Sequence, residues 1–159
     1  MLSELHRQIA NYLVGKECDV YPAPFHVVLN LESYEKEEES KDVFEPDITI
    51  VCDPNKLDDA GCKGSPDMVI EIISPSSAKR DKIEKINKYE QAGVKEYWIV
   101  EPQEKIISVF KLQESGSYGR PELYTDEHEV KVSIFDDFII QLNKVFQYNQ
   151  RKVKGNRNP

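Results

Sequence analysis

Two runs of β-branched residues, Ile48-Thr49-Ile50-Val51-Cys52 and Met68-Val69-Ile70-Glu71-Ile72-Ile73, constrain what this chain can fold into more than anything else in it. Neither shows the strict apolar–polar alternation of a strand with one wet face. Both therefore predict central strands of a sheet covered on two sides. Each run follows a Pro-Asp pair, Pro46-Asp47 and Pro66-Asp67, and the second has a carboxylate, Glu71, in its middle. A carboxylate in such a place costs free energy unless it is hydrogen-bonded, ion-paired or bound to a cation. Side chains alternate along a strand, so Asp67, Val69, Glu71 and Ile73 share one face while Met68, Ile70 and Ile72 share the other. If the two runs lie side by side, Asp47 and Glu71 converge at one end of the sheet. There each raises the other's proton affinity, and a divalent cation relieves the repulsion.

A basic segment follows at once. Ser76 or Ser77 is placed to cap a helix over Ala78 to Ala92, with Gly93 as its stop. At ~100° per residue, Asp81, Lys85 and Tyr89 form one row bordering an apolar stripe of Ile83 and Ile86. Lys85 is thus a boundary residue whose ammonium can reach the strand ends and stabilise charge on a phosphate, with Lys82 the second choice. Each residue also has a plain structural reading. Pro-Asp is a frequent turn-to-strand junction, Glu71 can be one half of a buried pair with Lys82 or Lys85, and Lys79, Arg80, Lys82, Lys85 and Lys88 can be an ordinary solvated face.

The rest of the chain reads as scaffold. A helix from a Ser3 cap to Gly15 presents Leu5, Ile9, Tyr12 and Leu13 on one stripe, and Phe25 to Leu31 alternates as a half-buried strand. Glu35 to Asp42 is nearly all charge and reads as a solvated hairpin tip. Asp53 to Pro66 is rich in turn formers and reads as a loop. Tyr97 to Val100, with Trp98 in the core, forms a hairpin with Ile106 to Phe110. Weaker strands follow at Glu122 to Tyr124, Val130 to Ile134 and Phe138 to Leu142. One domain over 1–148 is expected, with a basic, disordered tail over 149–159.

Composition removes several classes of function. The formal charge of −8 argues against a protein that coats nucleic acid through its phosphates, though not against a locally basic groove. Cys18, Cys52 and Cys62 and the scattered His6, His26 and His128 lack the clustering of a zinc site, and the spacing predicts reduced thiols. His6 reads as a partly buried, hydrogen-bonded residue rather than a catalyst. No apolar run approaches the ~20 residues of a membrane span, and Met1 to His6 lacks the features of a signal peptide. A cytoplasmic protein is expected.

Taken together, Glu45-Pro46-Asp47, the Pro66-Asp67-x-x-x-Glu71-x-x-Ser74-Pro75-Ser76 strand and turn, Asp81-x-x-x-Lys85-x-x-x-Tyr89, and Gly93-Val94-Lys95-Glu96-Tyr97-Trp98-Ile99-Val100 resemble the Uma-two family of bacterial endonucleases. That family is a branch of the PD-(D/E)XK, restriction-endonuclease-like superfamily. The resemblance runs from His6 to Phe146. It implies an α/β (α+β) fold with a mixed central sheet flanked by helices, and Mg²⁺- or Mn²⁺-dependent hydrolysis of DNA. It also implies Asp47 and Glu71 as metal ligands, the carbonyl of Ile72 as a possible third, and Lys85 as the catalytic lysine. The superfamily's usual lysine position holds Ile73, and Lys85 on the following helix resembles a migrated substitute. Family members usually begin with a further helix and strand ahead of the helix that carries His6. The chain's start at that helix leaves an alternative, an inactive copy acting as a binding or oligomerisation module, with an uncovered sheet edge suited to a homodimer.

Overall fold

The computed structural model describes residues 1–29, 42–77 and 79–147. Most of the charged stretch over 35–42, the helix start at Ala78 and the basic tail at 149–159 lie outside the described residues.

Six strands form the main sheet: β1 (Asp19–Pro22), β4 (Ile48–Val51), β7 (Met68–Ile72), β8 (Glu96–Glu101), β9 (Ile106–Lys111) and β10 (Glu122–Thr125), hydrogen-bonded in that order. All neighbours are antiparallel except β7 and β8, which run parallel. Parallel neighbours need a crossover, and the helix α2 (Lys79–Ala92) supplies it. The sheet is therefore mixed and covered on both faces, as the uninterrupted apolar runs require. On one face Met68, Ile70 and Trp98 pack with Leu5, Ile9 and Leu13 of helix α1 (Leu2–Leu13), spaced i, i+4, i+8. On the other, Val69, Tyr97 and Ile99 pack with Tyr89 of α2.

Several local expectations are corrected. Met1, not Ser3, occupies the cap position of α1, and no side chain caps it. Within Phe25 to Leu31, of which Asn30 and Leu31 lie outside the described residues, the strand is β2 (His26–Val28), where the neighbours Val27 and Val28 are both buried and strict alternation fails. It belongs to a separate four-stranded sheet with β3 (Val43–Phe44), β5 (Leu57–Asp58) and β6 (Gly61–Lys63), in the order β3-β2-β6-β5. The stretch read as a loop thus contains a short 3-10 turn, Pro54–Lys56, and two strands. Its turn formers do serve turns: Asp53 accepts from Asn55, and Asp58 accepts from Ala60 and Gly61. The strands between them are too short to leave a periodic signal. Gly61 is essential to the pairing, because a Cβ there would lie 2.1 Å from the carbonyl oxygen of His26.

The last strands are also shorter than expected, at β11 (Glu129–Lys131) and β12 (Ile139–Gln141), and 142–147 is helical. Val130, Ile140, Leu142 and Phe146 complete the core against α1.

Two further features were not anticipated. Cys18 and Cys52 lie one step beyond the Asp19–Val51 pair of β1 and β4 and form a disulfide, which overturns the expectation of three reduced thiols and the argument for a reducing compartment drawn from it. The register brings the two Cα atoms to 4.0 Å, a juxtaposition that a sequence separation of 34 conceals. Cys62 is free and buried, and burial pushes its thiol up to about 11. Glu96, fully buried at the start of β8, accepts from the Trp98 indole at 2.8 Å and the Ile134 N–H at 3.2 Å. Burial raises its carboxyl above the ordinary value despite these donors. Among the described residues no helix is long and apolar enough to cross a membrane.

Candidate active site

The β4–β7 register pairs Ile48 with Ile70, so one step further Asp47 stands opposite Glu71. Asp47 Oδ2 accepts from the backbone N–H of Ile72 at 2.7 Å. The far end of the same ladder repeats the device, with Asp67 Oδ2 accepting from the N–H of Cys52 at 2.7 Å. Both Pro-Asp junctions therefore close the ends of a ladder, which is the plain structural reading. They differ in what surrounds them. Asp67 is paired with Lys95 at 3.0 Å, whereas Asp47 has no lysine or arginine partner among the ion pairs of the described residues and opens onto a cleft of about 240 Å³. Glu71 and Tyr97 form the floor of that cleft, and Asp81, Lys82 and Lys85 of α2 form a wall.

Glu71 is only 5% exposed. Tyr89 donates to its Oε1 at 2.8 Å and Tyr97 to its Oε2 at 3.1 Å. Lys85 Nζ is 3.3 Å from Oε2 and 3.9 Å from Asp81 Oδ2. Both tyrosine hydroxyls are held far above the ordinary tyrosine range, first by burial and then by the charge of Glu71, so they remain protonated donors. The lysine contacts are longer than a close charge-assisted bond, which leaves the ammonium free to turn into the cleft.

The structure brings Asp47, Glu71 and Lys85 together in one cleft, and Ile72 lines it too. Lys82, the second choice, instead meets Glu101 at 3.4 Å, and Lys88 meets Asp42 at 3.1 Å. Ile73 lines the cleft and packs, partly buried, against the apolar cluster around Tyr89, so the usual lysine position holds an apolar side chain. His6 is half-buried on α1 and is not a cleft residue. The apolar stripe assigned to α2 needs correction, because Ile83 is 59% exposed. At ~100° per residue Ile83 lies ~120° round from buried Tyr89, whereas Lys85 lies ~40° and Lys82 ~20° away. The inward face of this helix is thus part lysine. Tyr97, read as a plain core strand residue, is the site residue missed. With β7 and β8 parallel, Val69 pairs with Tyr97, so Tyr97 shares a face with Glu71 two residues away.

Among the described residues no three His, Cys, Asp or Glu side chains are close enough to hold a metal by themselves. The donors present nonetheless fit one kind of ion. Asp47 and Glu71 are hard oxygen donors, the set from which magnesium takes one or two carboxylates and completes its shell with water and phosphate. Charge agrees: Glu45, Asp47, Glu71 and Asp81 against Lys82 and Lys85 leave the cleft two negative charges in excess, which a divalent cation balances and a bare phosphodiester would not approach.

Comparison with known proteins defines the class first. A crystal structure of "a putative nuclease belonging to DUF820" from Anabaena variabilis ATCC 29413 superposes with a TM-score of 0.70 at 16% identity, covering 92% of this chain and 78% of that one, so the two share a fold. The model of the Uma2 family, described as "Putative restriction endonuclease", matches residues 1–143. The chain belongs to the Uma2 family. No curated protein matches it.

Proposed function

We propose that this protein is a Mg²⁺- or Mn²⁺-dependent endonuclease that hydrolyses DNA phosphodiester bonds in the cleft between β4, β7 and α2. The observation that carries this reading is the meeting of Asp47, Glu71 and Lys85, separated by 24 and 14 positions in sequence, in one cleft with excess negative charge. Asp47 and Glu71 would hold the ion, with the carbonyl of Ile72 as a third donor. When bound, a divalent cation supplies Lewis-acid stabilisation at a phosphoryl oxygen.

The chain's own residues do the rest. The Asp47 carboxylate is tied to the strand that carries Glu71, so the two acids keep a fixed relation. Lys85 is shared between Glu71 and Asp81 at 3.3 and 3.9 Å, so its ammonium can transfer to a phosphate without abandoning a tight partner. There it stabilises negative charge as it develops on the phosphate oxygens. Ile73 supplies an apolar part of the lining, lowering the local dielectric in which that charge is felt.

The test is nicking of supercoiled DNA, with a single-stranded RNA arm, in Mg²⁺ or Mn²⁺ and in EDTA. Metal-dependent nicking by the wild type that disappears in Glu71→Ala supports the reading. Equal nicking by both proteins overturns it, and cleavage confined to RNA moves the substrate to the other polymer.

One observation favours a second reading, a catalytically inactive copy retained as a binding module: both oxygens of Glu71 already have partners, so this carboxylate is satisfied without an ion. Melting with and without Mn²⁺ separates the two. A competent site raises the melting temperature by ligand linkage, and an inactive one does not respond.

A further inference from the structure

The Glu71 carboxylate receives one hydroxyl on each oxygen, from residues on two other elements: Tyr89 of α2 at 2.8 Å and Tyr97 of β8 at 3.1 Å. All three side chains are buried, with Tyr89 at 0%, Tyr97 at 1% and Glu71 at 5% exposure. Neither ring is free to follow the carboxylate if it moves. Tyr89 packs between Phe44 and Tyr97, at centroid distances of 5.4 and 4.7 Å, and Tyr97 packs on Phe110 at 5.9 Å. A close-packed interior fixes side chains in their rotamers, so the two hydroxyls are fixed points and the carboxylate conforms to them.

A core needs no such arrangement for its own sake. Two phenylalanines would fill the same volume, and the hydroxyls would be a desolvation cost without an acceptor. Lys85, the third partner, is the member that can leave, being about a third exposed and only 3.3 Å from its acceptor. Once Lys85 turns to a phosphate, the tyrosines are what keeps Glu71 hydrogen-bonded and aimed.

We propose that Tyr89 and Tyr97 are positioning residues that hold the Glu71 carboxylate in one orientation toward the cleft, so that it presents a preformed donor to a divalent cation. This rests on the reading of Glu71 as a metal ligand. Each tyrosine acts through its hydroxyl bond to Glu71.

The experiment is calorimetric titration of Mn²⁺ into the wild type, Glu71→Gln, Tyr89→Phe, Tyr97→Phe and Tyr118→Phe, with melting temperatures recorded in EDTA. Tyr118 is the control: it belongs to the same aromatic row, and its hydroxyl donates to the carbonyl of Val94 at 2.7 Å, with no link to Glu71. The expected result is one Mn²⁺ site in the wild type, its loss in Glu71→Gln, and an affinity at least about tenfold weaker in each of Tyr89→Phe and Tyr97→Phe. Tyr118→Phe should lose stability yet bind Mn²⁺ as the wild type does. Wild-type affinity in both Tyr89→Phe and Tyr97→Phe overturns the positioning role while leaving the metal site in place. Equal weakening in Tyr118→Phe also overturns it, because the effect would then be general loosening. A wild type that binds no Mn²⁺ overturns the metal reading itself, and the positioning role falls with it.

Discussion

The carboxylate of Asp47 accepts a 2.7 Å hydrogen bond from the backbone N–H of Ile72, the residue that follows Glu71. One acidic residue of the cleft is thereby fastened to the strand that carries the other. The same bond makes Asp47 part of the fold as well as part of the site, and substitutions can separate the two roles.

Asp47→Asn retains an oxygen acceptor and removes the charge. It should melt within a few degrees of the wild type and lose Mn²⁺ binding. Asp47→Ala should lose the binding and also about 1–2 kcal/mol of stability in urea unfolding, since the Ile72 N–H is left unpaired in a part-buried place. Equal stability of the two variants would mean that the ladder-closing bond contributes nothing.

Lys85→Met keeps the length of the side chain and removes its charge. Cleavage should fall by about 10² or more, the scale of losing one group that stabilises developing charge. Lys82→Met, whose ammonium meets Glu101, should retain most of the wild-type rate. The reverse ranking in a nicking assay would transfer the role to Lys82.

Glu96 provides a pH dependence. Its folded-state carboxyl is raised above the ordinary 4.5 by burial. A raised acid favours folding most when it is protonated, below its unfolded value, and that advantage is lost as pH rises through the folded value. Glu96→Gln mimics the protonated form at every pH. The stability of Glu96→Gln relative to the wild type should therefore climb as pH rises above about 4.5, measured by urea unfolding between pH 4 and 7. A constant difference across that range would contradict the raised carboxyl.

The Cys18–Cys52 disulfide closes a loop with a sequence separation of 34. Loop-closure entropy sets its contribution at about 3–4 kcal/mol. Urea unfolding with and without dithiothreitol should show a loss of that order, absent from the Cys18→Ser, Cys52→Ser double variant. No response of the wild type to reductant would contradict the bond's role in stability.

The sequence disclosed most of what depends on period and pattern. The apolar runs around Ile50 and Ile70 carry the signature of two-faced burial, and the alternation along Asp67 to Ile73 correctly separates the face of Met68 and Ile70 from that of Val69 and Glu71. What it did not disclose is what register decides. Tyr97 meets Glu71 because β7 and β8 are parallel and offset as they are, and Cys18 meets Cys52 because β1 pairs with β4; neither pairing leaves a local trace. Strands of two or three residues, such as β5 and β6, fall below the length at which alternation can be read. On α2, the presence of isoleucine at position 83 suggested a buried stripe, but the helix phase is set by Tyr89, and lysine stems cover the neighbouring surface instead.

The most direct test is an anomalous difference map from a crystal soaked in Mn²⁺. A peak between the carboxylates of Asp47 and Glu71, lost in Glu71→Gln crystals soaked in the same way, is the predicted result. A map with no peak there, or with one that persists in Glu71→Gln, would contradict the assignment of this cleft as the metal site of a nuclease.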